Sequence, residues 1–415
     1  MSSQYIFLPH TPEIINTSIP LVSSKSESNR AIIIQNLSKK EIKLYNLAEA
    51  RDTQTMLRLV KSTNQTLDVL DAGTTMRFLT AFCAASNRRT ILTGTERMQQ
   101  RPIGILVDAL KAIGTEIQYL NKEGFPPIAI KKFQQISNKV SVRGDVSSQY
   151  ISALLMIAPI LSQGLTIHLI GEVGSIPYIT MTLALMKRFG ISYEWEGNAI
   201  VIPHQKYSGG DYTIESDWSG ASYWYSLVAL SENGSLFLEG LRENSFQGDY
   251  AIIEIMQQLG VKTEFNDKGA KLTKTGNQPD FEYDFTHCPD LAQTISVICA
   301  AKGVNAKLTG LKSLRIKETD RIAAIQEELA KMSVNVEIIG DEAIYIPKSS
   351  IVLTENLPIN TYDDHRMAMA FAPLACIHSL KIEDPSVVNK SYPSFWKHLE
   401  LVGIKGIIKL KNTLI

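Results

Sequence analysis

Asp71–Ala85 reads DAGTTMRFLTAFCAA: an acidic residue, a glycine, two threonines, then a run in which nearly every position is apolar. Apolar residues on all sides of a helix require burial on all sides, so this stretch predicts a helix inside a core rather than on its surface. Five other stretches share the pattern of a polar turn opening into an apolar helix. They are Ser26–Leu37 (SESNRAIIIQNL), Ser147–Pro159 (SSQYISALLMIAP), Asp217–Leu230 (DWSGASYWYSLVAL), Pro289–Ala301 (PDLAQTISVICAA) and Asp363–Ala375 (DDHRMAMAFAPLA). Ser and Asp suit the openings, because their side chains accept bonds from the unpaired N–H groups of a first helical turn.

Most of these helices are followed by an amphipathic one that stops before an alternating strand. Gly114, Gly190, Gly260 and Gly403 stand at four of the stops and Ser333 at a fifth, at intervals of 76, 70, 73 and 70 residues. A glycine there fits a left-handed C-terminal cap. The repeat divides 415 residues into six units of about 69, each with strands, one buried helix and one exposed helix. That is an α/β class. Six buried helices exceed one ordinary core, so two domains of three units are expected, with a boundary near Ser208–Asp217 (SGGDYTIESD).

Composition excludes several classes. With 42 basic and 42 acidic residues the formal net charge is zero, so nothing points to a nucleic acid or a membrane surface as partner. Any anion site has to be built locally. Cys83, Cys288, Cys299 and Cys376 lack metal-type spacing and read as reduced core thiols. The start, MSSQYIFLPHTPEII, lacks the charged and apolar regions of a signal peptide, and no apolar run approaches the ~18–20 residues that span a bilayer. A cytoplasmic protein is expected, with no metal.

The chemically informative residues crowd at helix starts: Lys25, Ser26 and Arg30; Gly73; Ser147, Ser148 and Gln149; Asp290; Asp363 to Arg366. Arg97–Pro102 (RMQQRP) and Lys317–Arg321 (KETDR) precede the second helices of two units. A helix start offers free N–H groups and partial positive charge, and arginine offers a planar fork, so this placement points to phosphate and carboxylate ligands. Taken singly, each motif is ordinary: a solvated lysine, a charged helix face, a serine cap, a hydrogen-bonded histidine at position 365. Their recurrence at one structural position is what suggests a common site.

In order along the chain these motifs resemble those of the 5-enolpyruvylshikimate-3-phosphate synthase family of enolpyruvyl transferases. SKSESNR (Ser24–Arg30), DAGTTMR (Asp71–Arg77), RMQQRPI (Arg97–Ile103), VSSQY (Val146–Tyr150) and SIPYI (Ser175–Ile179) carry the first half. ESDWSGASY (Glu215–Tyr223), QGD (Gln247–Asp249), PD (Pro289–Asp290), RIKETDR (Arg315–Arg321), YDDHRMAMA (Tyr362–Ala370) and NKSYPSFW (Asn389–Trp396) carry the second. The resemblance implies two domains of three βαβαββ units, 23–216 and 217–415, with residues 1–22 completing the latter and the active site in the cleft between them. It implies a monomer that uses no cofactor. The substrates implied are phosphoenolpyruvate and shikimate 3-phosphate, with glyphosate as an inhibitor for which Gly73 leaves room.

By position, the resemblance implies that Lys25, Ser26, Arg30, Ser147, Ser148, Gln149, Ser175, Tyr178, Asp290 and Lys317 hold shikimate 3-phosphate. Lys25, Gly73, Arg101, Gln149, Arg321, Arg366 and Lys390 would surround phosphoenolpyruvate. The implied chemistry moves two protons: the acceptor 5-hydroxyl loses one as it attacks C2, and C3 gains one before a tetrahedral intermediate expels phosphate. Asp290 is the expected base, with Glu318 or Lys25 the acid at C3. The chain departs from the family where Val22-Ser23 replaces a Pro-Gly, Ser313 a common Asn and Ile176 a common Lys. The rival within the fold, UDP-N-acetylglucosamine enolpyruvyl transferase, typically carries a cysteine in the loop that here reads GTERMQQRP (Gly94–Pro102). An RNA 3′-phosphate cyclase would need a catalytic histidine and nucleotide contacts, whereas His365 sits in a motif that fits the synthase.

Overall fold

The computed structural model describes residues 4–145, 147–355 and 357–410. Val146, the first residue of the VSSQY stretch, lies outside the described residues, as do the extreme ends of the chain. The chain divides into two compact units, one of residues 1–22 and 215–415, the other of residues 23–214. The division falls just before Glu215 because that side chain is anchored in the first unit. It accepts hydrogen bonds from Trp218 Nε1 (2.9 Å), Ser245 Oγ (2.6 Å) and the Arg242 amide (3.0 Å).

Within residues 23–214, three apolar helices, Lys25–Leu37, Gly73–Ala85 and Ser148–Ile157, pack on one another and form the centre of the core. Two four-stranded sheets repeat one topology. Thr66–Asp68 runs parallel to Thr90–Thr93, which pairs antiparallel with Ile128–Phe133, itself paired with Thr115–Tyr119. Lys139–Arg143, Leu165–Ile170, Ala199–Ile202 and Glu194–Glu196 reproduce that order. With the helices between them these are βαβαββ units. The remaining unit differs: among the described residues it has two strands only, Ile42–Tyr45 and Gly210–Thr213, parallel to each other. Its helix Arg51–Val60 connects to Thr66 through Lys61–Gln65, five residues that cannot contain two paired strands.

The other unit is built on Trp218–Leu230, Ala292–Lys302 and His365–Phe371, again mutually packed. Among the described residues its three sheets have four strands each, and residues 4–19 supply one strand to two of them. Gln4–Leu8 lies between Leu380–Glu383 and Ile407–Leu410, antiparallel to both. Ser18–Ile19 pairs parallel with Ser235–Glu239. Parallel neighbours need a crossover, and here the crossover helix is Trp218–Leu230, whose partner strand arrives from far away in sequence.

The five stops adopt the backbone that glycine favours. Gly114, Gly190, Gly260 and Gly403 have φ between 82° and 114°, and Ser333, the non-glycine, has φ 61°. A left-handed conformation costs a residue with a Cβ about 1–2 kcal/mol. Ser333→Gly should remove that cost while adding about 0.4–1 kcal/mol of unfolded-chain freedom. The expected net is a gain of about 0.5–1 kcal/mol, read as a rise in Tm of about 1–3 °C by calorimetry; an unchanged or lower Tm contradicts the strain assigned here.

Candidate active site

In residues 23–214 the helix starts hold their polar groups in small, connected sets. Lys25 opens its helix behind the cap of Ser24, and its Nζ lies 3.4 Å from Asp52 Oδ2. Arg30, one turn on, is buried. Its Nε donates to Thr182 Oγ1 (2.7 Å), Nη1 to the Ser26 carbonyl (2.9 Å), and Nη2 to Ser152 Oγ (3.1 Å) and the Tyr178 carbonyl (3.4 Å). The guanidinium sits 5.3 Å from the Phe78 ring centroid and 5.7 Å from that of Tyr178, distances at which a cation is attracted to the ring. Burial pushes its pKa down to about 10, with Tyr178 and Glu27 opposing, so it keeps its proton at neutral pH.

Gly73 opens a helix preceded by Ala72, which has no side chain to cap it. A Cβ at Gly73 would lie 2.7 Å from Arg101 Nη1 and 2.8 Å from Nη2, so glycine is what lets this guanidinium lie against the helix start. Arg77 fixes the two segments together: Nη1 donates to the Gly73 carbonyl (3.1 Å) and Nη2 to the Pro102 carbonyl (2.8 Å). Tyr150 donates its hydroxyl to the same Pro102 oxygen at 2.6 Å. Gln149 Nε2 donates to Thr74 Oγ1 at 3.1 Å, and Ser147 caps its own helix by accepting from the Gln149 amide. Ser148 is buried in the first turn, and Ser175, at φ 54°, precedes the helix Ile176–Arg188.

In the unit containing residues 215–415 the predicted residues form one ionic cluster. Arg321, only 2% exposed, donates from Nε to Asp364 Oδ2 (2.7 Å), from Nη1 to Asp290 Oδ1 (2.9 Å) and from Nη2 to Glu318 Oε2 (3.0 Å). Burial would lower its pKa, but Asp364, Glu318 and Asp290 more than reverse this and hold it above the usual value. Arg366 Nη2 donates to Asp290 Oδ2 at 2.8 Å and Nη1 to the Tyr223 hydroxyl at 3.3 Å. Lys317 Nζ stands 3.9 Å from Asp290 Oδ1, and Lys390 Nζ 3.5 Å from Glu318 Oε1. Asp290 is thus gripped through both oxygens by different arginines. Glu318 lies between Arg321 and Lys390.

The family model described as EPSP synthase (3-phosphoshikimate 1-carboxyvinyltransferase) matches residues 60–399. A protein named 3-phosphoshikimate 1-carboxyvinyltransferase from Bacteroides fragilis (strain YCH46) is 46% identical, over 96% of this chain and 98% of its own. One of the same name from Aliivibrio fischeri is 34% identical, over 93% and 96%. The chain belongs to the EPSP synthase family. An EPSP synthase structure from Acinetobacter baumannii superposes with a TM-score of 0.78 at 20% identity, covering 98% of this chain and all of that one, and so shares the fold.

Several residues of this EPSP synthase family member escaped the sequence reading. Asp52, the partner of Lys25, follows Arg51 at the start of a second helix, where charged groups recur without naming their partners. Thr182 and Ser152, the partners of Arg30, face it from mid-helix and carry no local signal. Asp364 stands in the YDDHRMAMA stretch, which marks a helix start but not the partner of its carboxylate. It is fully buried against Arg321 and also caps its own helix by accepting from the Arg366 amide (2.9 Å). Ser313 lies on the turn Lys312–Ile316. His365 is buried, with Nδ1 3.6 Å from Asp364 Oδ1.

Removing one member of a buried ion pair costs about 3–5 kcal/mol, because the other charge is left without its partner. Asp364→Ala should lower unfolding stability by that amount in urea, at an unchanged m-value for the unit. A loss below ~1 kcal/mol contradicts the role assigned to Asp364.

Proposed function

We propose that this chain transfers the 1-carboxyvinyl group of phosphoenolpyruvate to the 5-hydroxyl of shikimate 3-phosphate, releasing phosphate, a step of the shikimate pathway toward aromatic amino acids. The observation that carries the residue assignment is Asp290, held by Arg321 and Arg366 beside Glu318 and Lys390. Phosphoenolpyruvate carries a carboxylate and a phosphate, and Arg321, Arg366, Lys390 and Arg101 supply the forks and charge that such an anion requires. Shikimate 3-phosphate is assigned to Lys25, Ser26, Arg30, Ser147, Ser148, Gln149, Ser175, Tyr178, Asp290 and Lys317.

Asp290 then takes the 5-hydroxyl proton as the oxygen attacks C2, while C3 is protonated. An incoming anion shares Arg321 and Arg366 with Asp290, which weakens their hold on the carboxylate and makes it a better base. Glu318 is assigned the proton at C3, with Lys25 as the competing or assisting acid. Collapse of the tetrahedral adduct expels phosphate and returns a methyl proton. We propose further a cytoplasmic monomer inhibited by glyphosate, whose carboxylate and phosphonate would compete for the Gly73–Arg101 region. No helix among the described residues is long and apolar enough to cross a membrane.

Phosphate release from phosphoenolpyruvate should occur with shikimate 3-phosphate and not with UDP-N-acetylglucosamine; release with the second acceptor alone overturns the assignment. Asp290→Asn should keep shikimate 3-phosphate binding by calorimetry and lose roughly 10²–10⁴-fold in kcat. Gly73→Ala should displace the Arg101 guanidinium, since its new Cβ would sit within 3 Å of three Arg101 atoms. The KM for phosphoenolpyruvate should then rise on the order of tenfold with that for shikimate 3-phosphate changed much less, and equal changes in both would separate Arg101 from phosphoenolpyruvate.

A further inference from the structure

Asp249, the last residue of the QGD stretch, stands on the turn Gly248–Ala251 and is 2% exposed. Its Oδ2 accepts the Ser219 hydroxyl, and among the described residues its Oδ1 has no hydrogen-bond partner. Ser219 Oγ in turn accepts from Arg366 Nη2 at 3.4 Å, the nitrogen that also donates to Asp290 Oδ2 at 2.8 Å. Two carboxyl groups are therefore linked to one guanidinium nitrogen, Asp290 directly and Asp249 through a serine. Nothing in the reaction proposed above uses Asp249.

We propose that Asp249 is a positioning residue held as the neutral acid, which fixes Ser219 against Arg366 and keeps a further negative charge away from Asp290 and the phosphoenolpyruvate site. The inference rests on the proposed function for the roles of Asp290 and Arg366, and on the burial and bonding of Asp249 for its state. A buried carboxylate with one oxygen unbonded is costly, whereas a protonated carboxyl is far less so. Burial first, and then the charge of Asp290, push its pKa up to about 7; Arg366 and the Ser219 bond pull the other way, and Asp217 adds to the rise. The Cys288 thiol, pushed up first by burial, is raised further by the charge of Asp249.

Charge balance gives this a consequence. Around Arg321 the cations are Lys317, Arg321, Arg366 and Lys390, and the carboxylates are Asp290, Glu318 and Asp364. With Asp249 neutral these four cations exceed their three carboxylate partners by one, an excess that Asp217 beside Asp249 already offsets, and ionised Asp249 tips the surroundings of Arg366 further toward negative charge. The folded-state pKa is raised, so the neutral acid persists below about 7 and is lost as pH rises through that value.

The test has two readouts. In substrate-free wild-type protein, infrared difference spectra should show a protonated-carboxyl stretch that disappears as pH rises through about 7. The band should be absent in Asp249→Asn. Its midpoint should move up in Ser219→Ala, which removes the bond favouring the ionised form. In turnover, the wild-type KM for phosphoenolpyruvate should rise on the order of tenfold from pH ~6 to ~9 as charge is added beside Arg366, and the rise should be much shallower in Asp249→Asn. No titrating band in the wild type, a midpoint unmoved by Ser219→Ala, or parallel KM profiles overturns the proposal. Because the spectra need no substrate, a band that titrates as described in a protein inactive with shikimate 3-phosphate would leave the state of Asp249 standing and fail the functional reading instead.

Discussion

Arg321 is a guanidinium taken almost wholly out of water, and such a group has to find its counter-charges inside the protein or not be buried at all. It finds three, on three separate segments: Asp290 before one helix, Glu318 one turn ahead of its own, and Asp364 at the start of a third. That constraint orders the rest of the cluster. Asp364 can meet Arg321 only if the turn Tyr362–Asp363 adopts two successive left-handed residues, at φ 53° and 55°. The Tyr362 hydroxyl, with one proton to donate, secures this turn from 2.6 Å of Glu328 Oε1 and 2.8 Å of Glu327 Oε2 on the helix that Arg321 begins. Strain of this kind persists where surrounding bonds over-determine it, and it concentrates at functional sites.

The βαβαββ unit serves this arrangement by repetition. A helix that is apolar all round needs neighbours on every side, and three such helices packed together supply them. Their ends then carry the polar groups that cannot go elsewhere, and the same short apolar–polar junction becomes, in turn, a lysine, an arginine platform, a serine cap and a carboxylate. Gly73 and Arg101 illustrate the local rule: a missing Cβ is what allows a guanidinium to rest on a helix start.

Much of the fold could be read from the residues. The six apolar stretches are the six central helices, and the glycine stops, Ser333 included, all have positive φ. Helix ends were less legible, because capping belongs to geometry: Asp217 and Ser147 lie just outside their helices as caps, and Pro289–Leu291 is a tighter turn before the helix proper. The two-stranded unit at Ile42–Tyr45 and Gly210–Thr213 was not legible either, since a missing hairpin leaves no residues to read. Of the site, the arginines, the lysines and Asp290 were visible through their motifs. Thr182 and Ser152 were not, and the QGD motif showed Asp249 without its partner, because a polar residue within a buried helix or turn looks the same in sequence whether it holds a guanidinium or merely satisfies itself.

The sequence alone determined the repeat, the burial of its helices, the family and the candidate anion-binding residues, since hydrophobic periodicity and ordered local motifs are properties of neighbouring positions. Only the tertiary structure decided that the first strand of the chain lies between Leu380–Glu383 and Ile407–Leu410. It alone decided that Asp290 is shared by two arginines and that Asp249 reaches one of them through Ser219. Strand partners and ion pairs hundreds or tens of residues apart are selected by packing in three dimensions, where the desolvation of a charge is settled by what surrounds it and not by what precedes it in the chain.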